Sequence, residues 1–168
     1  KGLLPRLLPD GVHAEYKIFE GKQDLEKNLI RILRTWQTPD SSFVVMRDQD
    51  SGDCRTVKRK LVDLCSQAGR NGILVRIACR ELESFYLGDL QAVETGLGLR
   101  NIARQQNQRK FRSPDNLNNP AEELIKITGR KYQKVNGSRL IAPHLRLEGN
   151  KSQSFNTLVR GIKRLAGI

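Results

Sequence analysis

The sequence predicts an α/β fold, a small parallel sheet flanked by helices, and three observations predict it. Phe43-Val44-Val45-Met46-Arg47-Asp48-Gln49-Asp50 is a short apolar run that follows Pro39-Asp40-Ser41 and ends in two aspartates one residue apart. Ile73-Leu74-Val75-Arg76-Ile77-Ala78-Cys79 is a second such run, following Gly69-Arg70-Asn71-Gly72. Between them Val57, Leu61, Leu64 and Cys65 recur at helical spacing. Short apolar runs bounded by turn signals are strands covered on both faces. A helix between two of them makes the connection that a parallel pair requires.

The other elements follow from local signals. Residues 2–8 read as the tail of a helix, stopped by Pro9-Asp10-Gly11. Residues 15–19 alternate polar and apolar, as an edge strand does. Over 24–36, Leu25, Leu29, Ile32, Leu33 and Trp36 fall on one helical face. Asp53 stands where a helix N-cap belongs, ahead of the helix carrying Val57 and Leu61. Residues 81–87 read as a helix starting at the end of the second apolar run.

The second half differs. Residues 104–119 are rich in basic and amide side chains and read as an exposed loop. Asn119-Pro120 introduces a short helix over 121–128, with proline at a favourable first-turn position. Ser152-Gln153-Ser154 caps a last helix over 151–165, with Phe155, Leu158, Val159, Ile162 and Leu165 on one face. The result is one domain, with a core over about 12–97 and a helical and loop extension over about 98–168.

The totals point to a polyanionic partner. Thirty Lys and Arg against eighteen Asp and Glu give the 168-residue chain a net charge of +12, an excess that commonly accompanies nucleic acid. No stretch approaches the ~18 apolar residues of a membrane helix, so no membrane partner is expected. Cys54, Cys65 and Cys79 lack metal or redox spacing and suit a reducing, cytoplasmic setting. His13 and His144 stand alone, without ligand spacing.

On this basic body the acidic spots are the candidate chemistry. Ligands of open α/β sheets bind beyond the carboxyl ends of the strands. Asp48 and Asp50 lie at one such end and would point the same way if the strand continued. Two converging carboxylates repel unless a cation or proton lies between them. Glu81 and Glu83 lie at the neighbouring strand's end. Glu83 is the better site candidate, because Glu81 in the first turn suits the helix dipole. Asp89 is read as a cap or as a supporting partner. The set Asp48, Asp50 and Glu83 therefore predicts an Mg²⁺ (or Mn²⁺) site acting on phosphodiesters, a hard cation held by few carboxylates plus phosphate oxygens.

The runs from Phe43 to Cys54 and from Ile77 to Asp89, together with Lys131-Tyr132 and Ser152-Gln153-Ser154-Phe155, resemble an uncharacterised bacterial Toprim-like family. That family is similar to the Toprim half of overcoming-lysogenization-defect nucleases, and its members often stand beside an ATPase gene in defence loci. The resemblance implies a Toprim-like sheet, an Asp-x-Asp pair placed here at Asp48 and Asp50, and a further acid at Glu83. It also implies a glutamate after a first strand. That strand and its glutamate are expected to precede Lys1, because Glu20-Gly21 follows what reads as the next strand.

The expected function is thus an Mg²⁺-dependent Toprim-type nuclease (a hydrolase), with Asp48 and Glu83 as catalytic acids and a partner ATPase in anti-phage defence. DNA is expected ahead of RNA. Arg47, Arg80, Arg109, Lys110 and Arg112 are the expected nucleic-acid contacts. No Walker-type phosphate loop is present, so an ATP-driven step needs that partner. The competing reading is a non-catalytic module of the same fold that binds nucleic acid or the ATPase.

Overall fold

A computed structural model describes residues 2–168. Among these, two strands form, β1 (Val44–Asp48) and β2 (Leu74–Ala78). They pair in parallel, Val44 opposite Leu74 and Asp48 opposite Ala78. Seven α-helices surround them: α1 (Lys22–Thr35), α2 (Cys54–Gln67), α3 (Glu83–Leu87), α4 (Leu90–Gly96), α5 (Pro120–Ile127), α6 (Lys134–Ile141) and α7 (Gln153–Leu165). The α/β class is therefore as expected. No helix among the described residues is long and apolar enough to cross a membrane.

The sheet divides two apolar clusters, as side chains alternating along a covered strand require. On one face Val45, Val75 and Ile77 pack with Leu25, Leu29 and Leu33 of α1 and with Leu61 and Cys65 of α2. On the other, Leu74 and Ala78, with Met46, join Phe85, Leu87 and Leu90 and the apolar stripe Phe155, Leu158, Val159 and Ile162 of α7. Residues beyond 98 thus supply much of one wall of the core. Gly161 lets α7 approach the sheet, for a Cβ there would lie 2.7 Å from the Arg76 guanidinium.

Three local expectations are corrected. Residues 15–19 form no strand; Ile18 is 81% exposed and the segment has no neighbouring edge to pair with, which alternation alone cannot supply. Residues 2–8 hold one 3₁₀ turn, Leu4–Arg6, rather than a helix tail, and Arg6 Nη1 donates to Leu145 O at 2.7 Å. Residues 104–119 are not a bare exposed loop. They fold into successive 3₁₀ turns that bury Phe111 and Pro114. Gln106 ties them in by accepting from Leu90 N at 2.7 Å and donating to Leu87 O at 3.1 Å. Polar composition was read as exposure, whereas these amides satisfy buried backbone.

The end of α3 shows how closely the second half is fitted. Asn150 Nδ2 donates to Phe85 O at 3.0 Å, Lys151 N donates to Gly88 O at 2.9 Å, and a Cβ on Gly88 would lie 1.9 Å from Asn150 Oδ1. Gly88→Ala is therefore expected to destabilise the fold by roughly 1–3 kcal/mol in urea denaturation, the usual cost of overpacking. A change of a few tenths would show that this joint yields.

Candidate active site

Several of the chain's carboxylates serve its own backbone. Asp53 caps α2, accepting from Thr56 N at 2.8 Å, as expected. Asp115 accepts from Ser154 N at 2.8 Å and from Ser152 Oγ at 2.6 Å, at the start of α7. Glu94 accepts from Ile102 N and Ala103 N at 2.6 and 2.9 Å. Glu81 accepts from Ala121 N at 2.8 Å, so it caps α5 rather than its own helix. Asp89 is fully buried, caps α4 and holds Arg146, its backbone N–H at 2.8 Å and its guanidinium at 3.1 Å.

Asp48 and Glu83 differ in lying close enough to repel each other. Asp48 ends β1 and is half-buried; Glu83 opens α3 and is only 4% exposed. Neither takes part in an ion pair among the described residues. Asp48's carboxyl is pushed up to about 6, first by burial and then by the neighbouring Glu83 charge, against a hydrogen bond from Leu82 N. Two acids are thus kept close enough to repel each other. Because β1 and β2 are parallel and in register, both lie at the carboxyl rim where ligands of such sheets bind.

Asp50 departs from the expected geometry. The strand stops at Asp48, and Asp50 is left-handed at φ 56°, a conformation aspartate tolerates in turns. Its N–H donates to Arg80 O at 2.9 Å, while its carboxylate turns to Arg47 Nη2 at 3.2 Å and Lys22 Nζ at 3.6 Å. It still adds to the repulsion that raises Asp48. Among the described residues no three His, Cys, Asp or Glu side chains group closely enough to hold a metal ion. What is brought together is a pair, and one or two carboxylates are what Mg²⁺ ordinarily takes from protein, the rest being water and phosphate oxygens. The donor set fits such an ion.

The expected nucleic-acid contacts are scattered in availability. Arg47 is spent: its side chain is 9% exposed and is held by Glu26 at 3.0 Å, Asp50 at 3.2 Å and Asp48 O at 2.9 Å. Arg80 is half-buried and left-handed at φ 61°, between β2 and α3. Its N–H donates to Gln49 Oε1 at 3.2 Å, and its guanidinium has no partner among the described residues. Lys110 pairs with Glu123 and lies 4.7 Å from the Phe111 ring centre. Arg112 Nε donates to Asn107 O at 2.9 Å, and Arg109 is exposed.

Sequence reasoning missed the tyrosines. Tyr132 and Tyr86 suit packing, and they do pack, with ring centres 6.1 Å apart. Yet Tyr132's hydroxyl also donates to Glu83 Oε1 at 2.8 Å, across 49 residues of chain. Burial pushes Tyr86 up to about 12 and Tyr132 higher still, so both remain protonated donors. Nothing in the spacing of Lys131-Tyr132 marks this bond.

A family model described as Domain of unknown function (DUF4276) matches residues 1–163. The chain belongs to this family. No curated protein and no solved structure matches it. Membership in DUF4276 extends over both the sheet that carries Asp48 and the segment between α5 and α6 that carries Tyr132, so the residues brought together here lie within one family unit.

Proposed function

We propose that this protein is a Toprim-type, Mg²⁺-dependent nuclease that hydrolyses phosphodiester bonds, with DNA favoured over RNA. The observation that carries the reading is the Asp48–Glu83 pair, two close carboxylates without an ion pair among the described residues, on the rim of a parallel sheet in a chain of net charge +12. Asp48 and Glu83 would hold Mg²⁺ or Mn²⁺, which when bound supplies Lewis-acid stabilisation of phosphate charge and a more acidic water. Arg80, three residues before Glu83 and with no guanidinium partner among the described residues, contacts the scissile phosphate. Exposed basic groups such as Arg55, Lys58 and Arg59 on α2 and Arg109 add sequence-blind phosphate contacts. A separate ATPase is the proposed partner, in anti-phage defence, since this chain carries no Walker loop of its own.

The test is cleavage of a supercoiled plasmid by the full protein with Mg²⁺ or Mn²⁺. Cleavage is expected to stop with EDTA and to fall by about a hundredfold or more in Glu83→Gln, the scale of losing an electrostatic contact to the reacting centre. Cleavage indifferent to both overturns the reading. The diversion of Asp50 to Arg47 and Lys22 favours a second reading, a binding module without catalysis. That module binds DNA with a steep salt dependence and leaves it intact under every metal.

A further inference from the structure

We infer that Tyr132 determines which divalent cation the Asp48–Glu83 pair accepts; this rests on the proposal that the pair holds a cation. Glu83 is 4% exposed, and its Oε1 is occupied by the Tyr132 hydroxyl at 2.8 Å. Its Oε2 has no donor among the described residues. No buried side-chain oxygen there lacks a partner, so Oε2 is the atom that reaches the open side of the site. A carboxylate held this way presents a single oxygen. Mg²⁺ and Mn²⁺ accept single carboxylate oxygens in a compact octahedron, whereas Ca²⁺ takes more oxygens and commonly binds a carboxylate through both. Tyr132 therefore keeps Glu83 one-handed and disfavours the larger ion.

The hydroxyl has little choice of partner. Ser138, whose own hydrogen goes to Lys134 O, offers only an acceptor at 3.2 Å, and the Glu83 carboxylate, nearer at 2.8 Å and the stronger acceptor, takes the phenol's single hydrogen. The ring is equally fixed. It lies against Gly137, where a Cβ would stand 2.5 Å from Cδ2, and Tyr132 N donates to Thr128 Oγ1 at 3.2 Å. Removing the hydroxyl alone frees Glu83 Oε1 and keeps the packing.

The experiment measures Mn²⁺ binding to the full protein from the free-ion EPR signal, and Ca²⁺ binding by competition, in the native protein, Asp48→Asn, Tyr132→Phe and Gly137→Ala. Asp48→Asn is expected to lose both ions. Tyr132→Phe is expected to shift the Ca²⁺-to-Mn²⁺ affinity ratio toward Ca²⁺ by about tenfold, the scale of losing a partner that orients a metal ligand. A merely structural role for Tyr132 weakens both ions together and leaves the ratio in place, and that result overturns the inference while the cation site stands. Native protein that binds no Mn²⁺ removes the cation reading and the inference with it. Should Tyr132→Phe not fold, Gly137→Ala displaces the same ring and is expected to shift the ratio the same way; an unchanged ratio in it likewise overturns the role.

Discussion

Asp48→Asn is expected to abolish metal-dependent cleavage and at the same time to stabilise the fold at pH 8, by about 1–2 kcal/mol. Burial and the Glu83 charge raise the Asp48 carboxyl from an ordinary 3.8 to about 6. The folded chain therefore holds that proton more tightly than the unfolded chain does. Its contribution to stability is fully present below pH 3.8 and is withdrawn as pH rises through about 6. Each pKa unit is worth roughly 1.4 kcal/mol, and the group's partial exposure to solvent reduces the full value. An uncharged amide of the same shape avoids the loss. The difference in unfolding free energy between variant and native protein should thus be small at pH 4, grow up to about pH 6 and level off above it. Chemical denaturation at the two pH values measures it. A variant that is less stable at pH 8, like a removed cap, shows Asp48 to be structural.

Asp89→Ala is expected to have the opposite sign and the largest effect on stability, a loss of about 3–5 kcal/mol. Asp89 is a carboxylate like Asp48 and more deeply buried, but its surroundings answer it. It receives the Arg146 backbone N–H at 2.8 Å, the Arg146 guanidinium at 3.1 Å and the first turn of α4. Alanine leaves these donors unsatisfied around a hole. The expected result is a marked drop in melting temperature or failure to accumulate as folded protein. A cost under about 1 kcal/mol, typical of exposed ion pairs, shows that solvent replaces the carboxylate there. Compared side by side, the two substitutions separate an acid proposed to serve chemistry from one that serves architecture. Chains tolerate a destabilising charge where function needs it.

The legible parts of this protein are those whose cause is local. Asp53 caps α2 and Ser152 caps α7 because an N-cap needs only a side-chain oxygen and an N–H two or three residues ahead. The strands at 44–48 and 74–78 are apolar on both faces because helices cover both, and that leaves its mark in composition. The place of Asp48 at the end of β1 was legible for the same reason, since the end of a covered parallel strand is a defined place. Asp50 was read as converging on the assumption that the strand continues. One left-handed residue turns it to Arg47 and Lys22 instead. Arg47 looked like a phosphate contact because it is basic and beside the acids, yet Glu26 on α1 claims it.

The remaining features have partners far along the chain. Glu81 caps α5 through Ala121, forty residues later, and Asp115 serves the start of α7. Residues 104–119 carry the polarity of a surface loop and spend it on buried backbone. Tyr132 reaches Glu83 only because α3 packs against α5 and the chain returns beside it. By itself the sequence determined the α/β class, the helix caps, the basic surface and the position of Asp48, all set by neighbours within a few residues or by summed composition. Only the tertiary structure decided which acids stand together, which are already spent and what holds Glu83. Those outcomes depend on contacts between distant segments, and hydrogen-bond geometry there is fixed by packing rather than by spacing.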